Sequence, residues 1–285
     1  MRPYIKVSIP YLVMDISLQS PIYSIDSDEC GHNIAVSLQN GTVSQLSTQN
    51  LRQNSEIRIG DATPNSIDYS LNKYGPLLAV GCSDGSIRVF RQNQEIKRFN
   101  QQKGAILSVA FHPSKCAIAA ASLDGTFAVF LKPDQSNEWS ETVIEASRMG
   151  LTSITWGPDA GSDAFLTIIV GGADGVIRIF KSTGNSWELS CASQVHNGWV
   201  RDLASPNVPL GSAYKAASCS DESVSVLKIS NNEIEITQIE PLDAPVNGVA
   251  WAMVDKTLVL SHVNGQTTYW TENEKGKWAI SNSNQ

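Results

Sequence analysis

An all-β fold, a β-propeller of six four-stranded blades, is predicted by three observations. A short turn dipeptide recurs six times, at Asn40-Gly41, Asp84-Gly85, Asp124-Gly125, Asp174-Gly175, Asp221-Glu222 and Asn264-Gly265. Each turn leads into a strand that a large apolar residue closes at a fixed distance: Leu46, Phe90, Phe130, Phe180, Leu227 and Trp270. The units repeat every 40–50 residues, the period of a propeller blade, in which no single unit can bury its apolar face alone. A β-sandwich requires no such period.

Four strands are expected in each unit. The first is short and alternating, at residues 22–26, 67–70, 106–111, 151–156, 200–204 and 246–251. The second is almost continuously apolar, at 34–38, 77–81, 117–122, 165–171, 214–218 and 258–261, as suits a strand buried on both faces. The turn follows because Asn, Asp and Gly tolerate the backbone angles of a tight hairpin. A third strand then alternates polar and apolar residues, as at 86–90 and 176–180, and a more polar fourth completes the unit, as at 56–59, 95–99, 187–192 and 234–239. No segment carries a helical apolar period. Residues 20–285 thus form the propeller, and residues 1–19 are an N-terminal segment long enough for one or two extra strands.

The net charge of −7 and the lack of any Lys/Arg run speak against nucleic acid, which needs a basic face. No stretch approaches the ~20 apolar residues that span a bilayer, and residues 1–19 lack a signal-peptide core. The five cysteines form no C-x-x-C pair and are expected as small buried residues in a reducing compartment, placing the chain in the cytosol or nucleus. Asp84, Asp124, Asp174 and Asp221 sit one per blade at equivalent turns, which makes them turn residues rather than a metal or acid/base cluster. His196 is expected to bond to Ser218 and Asp221, and with no nucleophile motif beside it, catalysis is not expected. Trp156 and Trp251 are assigned to the core, and Trp139, Trp187 and Trp278 to the outer edges of their blades. No catalytic residue, cofactor or metal is predicted.

Four segments carry a family resemblance: Gly171-Gly-Ala-Asp-Gly-Val-Ile-Arg-Ile-Phe-Lys181, His196-Asn-Gly-Trp-Val-Arg-Asp-Leu203, Asn264-Gly-Gln-Thr-Thr-Tyr-Trp-Thr-Glu-Asn-Glu-Lys-Gly-Lys-Trp278 and Tyr74-Gly-Pro-Leu-Leu-Ala-Val-Gly-Cys-Ser-Asp-Gly85. They resemble the Sec-thirteen family of WD-repeat proteins over about residues 20–285, although no Trp-Asp dipeptide occurs. The resemblance implies an open six-bladed WD-repeat propeller completed by a partner-supplied blade. The implied partner is an α-solenoid coat protein (Sec-thirty-one-like), a scaffold nucleoporin, or both. The implied roles are the COPII outer coat in endoplasmic reticulum to Golgi transport, peripheral to the membrane through the coat only, and the nuclear-pore Y complex. A nucleoporin-type paralogue (Seh-one-like) and a self-contained adaptor binding peptides on its top face are the alternatives. From strand alternation, the residues expected to face the gap are Ile22, Ile25, Val36 and Leu46 in the first blade. Val249, Leu258, Leu260 and Tyr269 are expected opposite them in the last.

Overall fold

The computed structural model describes residues 4–281 apart from 10–11, 19, 51, 71–74, 101, 134–137, 159–165, 185, 207–212, 253–255 and 275. Tyr74 and Phe165, used above, lie outside the described residues. Every regular element among the described residues is a strand, and the strands form a six-bladed β-propeller. An N-terminal hairpin, β1 (Tyr4–Ile9) and β2 (Leu12–Ser17), is a sheet of its own.

The first blade comprises β3 (Ile22–Ser27), β4 (Asn33–Leu38), β5 (Thr42–Ser47) and β6 (Gln53–Arg58). The second has β7 (Pro64–Tyr69), β8 (Leu77–Cys82), β9 (Ile87–Arg91) and β10 (Gln94–Phe99). The third has β11 (Ile106–Phe111), β12 (Ala117–Ser122), β13 (Thr126–Leu131) and β14 (Ser140–Glu145). The fourth has β15 (Leu151–Trp156), β16 (Thr167–Gly172), β17 (Val176–Thr183) and β18 (Ser186–Gln194), and the fifth β19 (Asp202–Ala204), β20 (Ala213–Cys219), β21 (Val224–Ser230) and β22 (Glu233–Ile239). The sixth has β23 (Val246–Ala252), β24 (Thr257–His262), β25 (Thr267–Glu272) and β26 (Trp278–Ile280). Every blade is an antiparallel meander in chain order. Strands β11, β12 and β15 match their sequence-predicted bounds, whereas β7 begins at Pro64, a residue that lacks an amide and is tolerated at a strand's start.

The chain falls into two compact units, residues 1–124 with 128–143 and residues 125–127 with 144–285. In the first, alternate residues of β8 serve two cores. Leu78, Val80 and Cys82 join Ala35, Val43 and Ile57 of the first blade, while Leu77 and Ala79 join Ile106, Ile118 and Phe130 of the third. In the second unit, Ala216 packs with Ile169 and Ile177 of the fourth blade, while Ala217 and Cys219 pack with Leu258 and Leu260 of the sixth. This two-sided burial is why the second strands are apolar at successive positions.

Several tryptophans pack in aromatic contacts. Phe99 stacks on Phe130 at 3.9 Å between ring centroids, and Trp139 meets Phe99 edge-on at 5.7 Å. Trp187 contacts both Phe127 and the buried Trp156 at 6.2 Å. Trp251 is half-buried against Trp278, its indole N–H donating to the Ala204 carbonyl at 3.1 Å. The turns are as tight as their composition requires: Gly175 has φ +73, and a Cβ there would strike the carbonyl oxygens of His196 and Gly198. Not all cysteines are buried. Cys82, Cys116 and Cys219 are, but Cys191 is half-buried and Cys30 is exposed in the polar β3–β4 loop; all five are free thiols.

Candidate partner-binding surface

The first strands repeat a short pattern: Tyr23-Ser-Ile-Asp26, Asn65-Ser-Ile-Asp68, Leu107-Ser-Val-Ala110, Thr152-Ser-Ile-Thr155, Arg201-Asp-Leu-Ala204 and Asn247-Gly-Val-Ala250. A β-bulge precedes the serine in the first four and the glycine in the last; a bulge bends a strand and raises its twist. Side chains at this pattern latch one blade to the next. Ser24 Oγ accepts the Ile67 amide at 3.3 Å and Asp26 Oδ2 the Tyr69 amide at 2.7 Å. Ser66 Oγ accepts the Val109 amide at 3.1 Å and Asp68 Oδ2 the Phe111 amide. In the second unit Asp202 Oδ2 accepts the Val249 amide at 3.0 Å. The latches satisfy amides that face away from each blade's second strand.

These carboxylates carry perturbed acidities. Burial raises the pKa of Asp26, and burial followed by the neighbouring charge of Asp26 raises Asp68 well above the carboxylate range. Burial lifts Asp202 to about 6, against the pull of the Val249 and Leu203 amides. The latches were missed in the sequence, where Ser-x-Asp looks like the polar half of an alternating strand. Its recurrence at one position in successive first strands was the available signal.

The first strands differ in cover. Ile67, Val109, Ile154, Leu203 and Val249 are equivalent, and none is more than 6% exposed. Their counterpart in the first blade, Ile25, is 49% exposed, and its neighbour Tyr23 also 49%. At the other end of the repeat, Gly248 and Ala250 stand where a hydroxyl and a carboxylate latch the earlier blades. The sixth blade has no latch to offer.

The eight residues expected at a gap distribute unevenly. Ile25 and Val36 pair across β3 and β4, and Val36 and Leu46 lie in one apolar cluster with Ile34 and Leu38 against which Ile22 packs. All four therefore lie on the side of their blade opposite the Ala35/Val43 contact with the second blade; Val36 and Leu46 are fully buried. In the sixth blade the assignment is corrected by one residue. Val249, Leu258 and Leu260 pack on the fifth blade through Ala217, Cys219 and Val226. The opposite side of that sheet carries Val259, paired with the 39%-exposed Tyr269, and Ala250. Strand side chains alternate, so a slip of one position exchanges the two faces.

The other candidates are structural. His196 is buried, with Nδ1 at 2.6 Å from Ser223 Oγ and Nε2 at 2.8 Å from Ser218 Oγ, and burial pushes its pKa down to about 4. Ser223, not Asp221, is its second partner. Asp221 is at an exposed turn and forms a two-pronged pair with Arg201 at 2.8 Å. Asp84 and Asp174 pair with Arg88 and Arg178 at 3.1 and 2.6 Å, and Asp124 Oδ2 accepts the amides of Lys103 and Gly104. Each turn aspartate is engaged locally.

Blades of this size, with two turn aspartates paired to arginines of their own third strands and first strands latched between three blade pairs, define a WD-type β-propeller. The WD domain, G-beta repeat family matches residues 93–130, a stretch that takes β10 of one blade with β11–β13 of the next. Over 236 residues the chain is 26% identical to "Protein transport protein sec13" of Aspergillus fumigatus, covering 72% of this chain and 76% of that protein. It is 24% identical to "Protein SEC13 homolog" of Drosophila melanogaster, covering 72% and 64%. A chain in the solved "Crystal Structure of Mitotic Checkpoint Complex" matches 91% of this chain and 78% of its own with a TM-score of 0.75 and 14% identity, a likeness of fold alone. These likenesses support a divergent WD-repeat protein similar to the Sec-thirteen family.

Proposed function

We propose that this chain is a non-enzymatic scaffold subunit of a protein-transport coat, of the COPII outer-coat kind acting between the endoplasmic reticulum and the Golgi. In this reading an α-solenoid partner supplies a seventh blade beside the first. The observation that carries it is the uncovered first strand of the first blade, where Ile25 is half exposed while five equivalents are buried, in a chain similar to proteins named for protein transport. A bare apolar strand edge invites an added strand. The partner's blade would bury an interface above ~1,600 Å² and be held by apolar contact, so moderate salt should weaken the complex little.

The test is depletion of the chain in its own cells, with secretory cargo and the tagged chain followed together. Cargo held in the endoplasmic reticulum, and the tagged chain at exit sites, are expected. Normal export with labelling confined to the nuclear rim would replace the coat reading with the nucleoporin one. Normal export with diffuse labelling, and no stoichiometric α-solenoid in a pull-down, would favour the self-contained adaptor.

A further inference from the structure

The edge of β3 has a donor and an apolar side chain waiting in a known geometry. Its register with β4 is the register of β7 with β8: Ile25 opposes Val36 as Ile67 opposes Val80, and Ser24 opposes Ser37 as Ser66 opposes Gly81. In that register the Ile67 amide points away from its own sheet and donates to Ser24 Oγ. By equivalence the Ile25 amide also points outward, and no described residue is hydrogen-bonded to it. The sixth blade carries Gly248 and Ala250 at the positions equivalent to Ser24 and Asp26. The N-terminal hairpin is a sheet of its own, and Ile25 is 49% exposed.

We infer that β3 is the seat for a foreign β-strand bearing a hydroxyl or carboxylate side chain that accepts the Ile25 amide, with a second such acceptor two residues further on opposite Ser27. The inference rests on the partner-blade reading and gives the partner's chemistry. Complementarity argues for the occupant: the same seat is filled on Ile67 by Ser24, on Val109 by Ser66 and on Val249 by Asp202. In two of these the second acceptor is an aspartate, Asp26 or Asp68. A strand with only apolar residues would leave an outward amide buried and unpaired, which is unfavourable. The partner's inserted strand is therefore of the Ser/Thr/Asp-x-Asp/Ser type with an aliphatic residue between, as in Ser24-Ile25-Asp26 itself.

The experiment uses the full chain with an extra copy of its own first blade, residues 20–58, joined by a Gly/Ser linker so that binding is intramolecular. A second form carries Ser24→Ala and Asp26→Ala in the extra copy only. Hydrogen exchange of the Ile25 amide in the original blade is the readout. The intact copy should slow exchange by about tenfold or more relative to the unfused chain, and the double variant should lose about fivefold or more of that protection. Equal protection by both forms, or protection by neither, overturns the acceptor requirement. If the unfused chain already protects Ile25, and Asp15→Ala with Ser17→Ala in β2 removes that protection, the occupant is the chain's own hairpin and the proposal falls. Protection that needs the acceptors, in a chain whose depletion leaves cargo export normal, would uphold the seat and reject the coat function.

Discussion

Strands β3 and β7 share a Ser-Ile-Asp segment in the same register, yet Ile25 is 49% exposed and Ile67 4%. Both follow a β-bulge, both lie beside an apolar second strand, and both are followed by an aspartate. What separates them is the neighbour: the first blade's Ala35, Val43 and Ile57 pack with Ile67, whereas Ile25 belongs to no apolar cluster among the described residues. Local sequence makes the strand; the adjoining blade decides whether its apolar residue is core or surface.

The largest test of this contrast is a pair of truncations. Ile67→Ala should destabilise the isolated chain by about 2–5 kcal/mol through a cavity, while Ile25→Ala should cost under about 1 kcal/mol because its side chain is half in water. Urea unfolding of the two variants gives both values, and equal losses would mean that Ile25 is covered in solution.

The acidity of the latches gives a second, smaller effect with a defined sign. Asp202 titrates at about 6 in the folded chain, above its ordinary value, so the folded state binds its proton more tightly than the unfolded chain. Its ionisation therefore weakens the fold as pH rises through 4 to 6. Asp202→Asn keeps an oxygen for the Val249 amide and removes the buried charge but turns its Nδ2 towards the Leu203 amide, so it should gain under about 2 kcal/mol at pH 7 and lose about 1 kcal/mol below pH 4. His196, lowered to about 4, acts oppositely: its stabilisation is complete above pH 6.5 and is lost as pH falls towards 4. In the Asn variant this acid loss should stand out more strongly, which chemical unfolding across pH 3.5–7.5 would reveal.

The smallest effect concerns one hydroxyl. Ser24→Ala should weaken stability by about 1 kcal/mol and speed exchange of the Ile67 amide, leaving the Ile25 amide as it was. Amide exchange resolved by residue checks this, and a change at both amides would mean that the two edges are not independent.

Much of this was legible beforehand. The blade count and most strand positions follow from the turn spacing, and the double burial of the second strands follows from successive apolar residues such as Leu77–Cys82. In the first blade, Ile22, Ile25, Val36 and Leu46 share one side of the sheet, as the alternation predicts. The sixth blade was misassigned because Leu258, Val259 and Leu260 are apolar in succession, so composition cannot say which side meets the fifth blade. The pairing of Val249 with Leu260 and the packing of both on Cys219 settle it. His196 went to Ser223 rather than Asp221 for a reason of charge: Arg201, also exposed, offers the aspartate a better partner.

Every blade is built from one uninterrupted stretch of chain, strand following strand. Backbone pairing in this all-β protein is consequently local, and links that reach across about forty residues within a unit include side-chain latches such as Asp26 to Tyr69 and the apolar contacts beneath them. Folding rates fall with the sequence separation of the contacts that must form, so each meander can assemble soon after its last strand leaves the ribosome, without awaiting distant chain. The first blade would emerge earliest and stay longest with Ile25 bare. Pulse-labelled exchange on stalled nascent chains should find the β4–β5 amides protected before the second blade is made, and late protection of those amides would show that the blades fold only together.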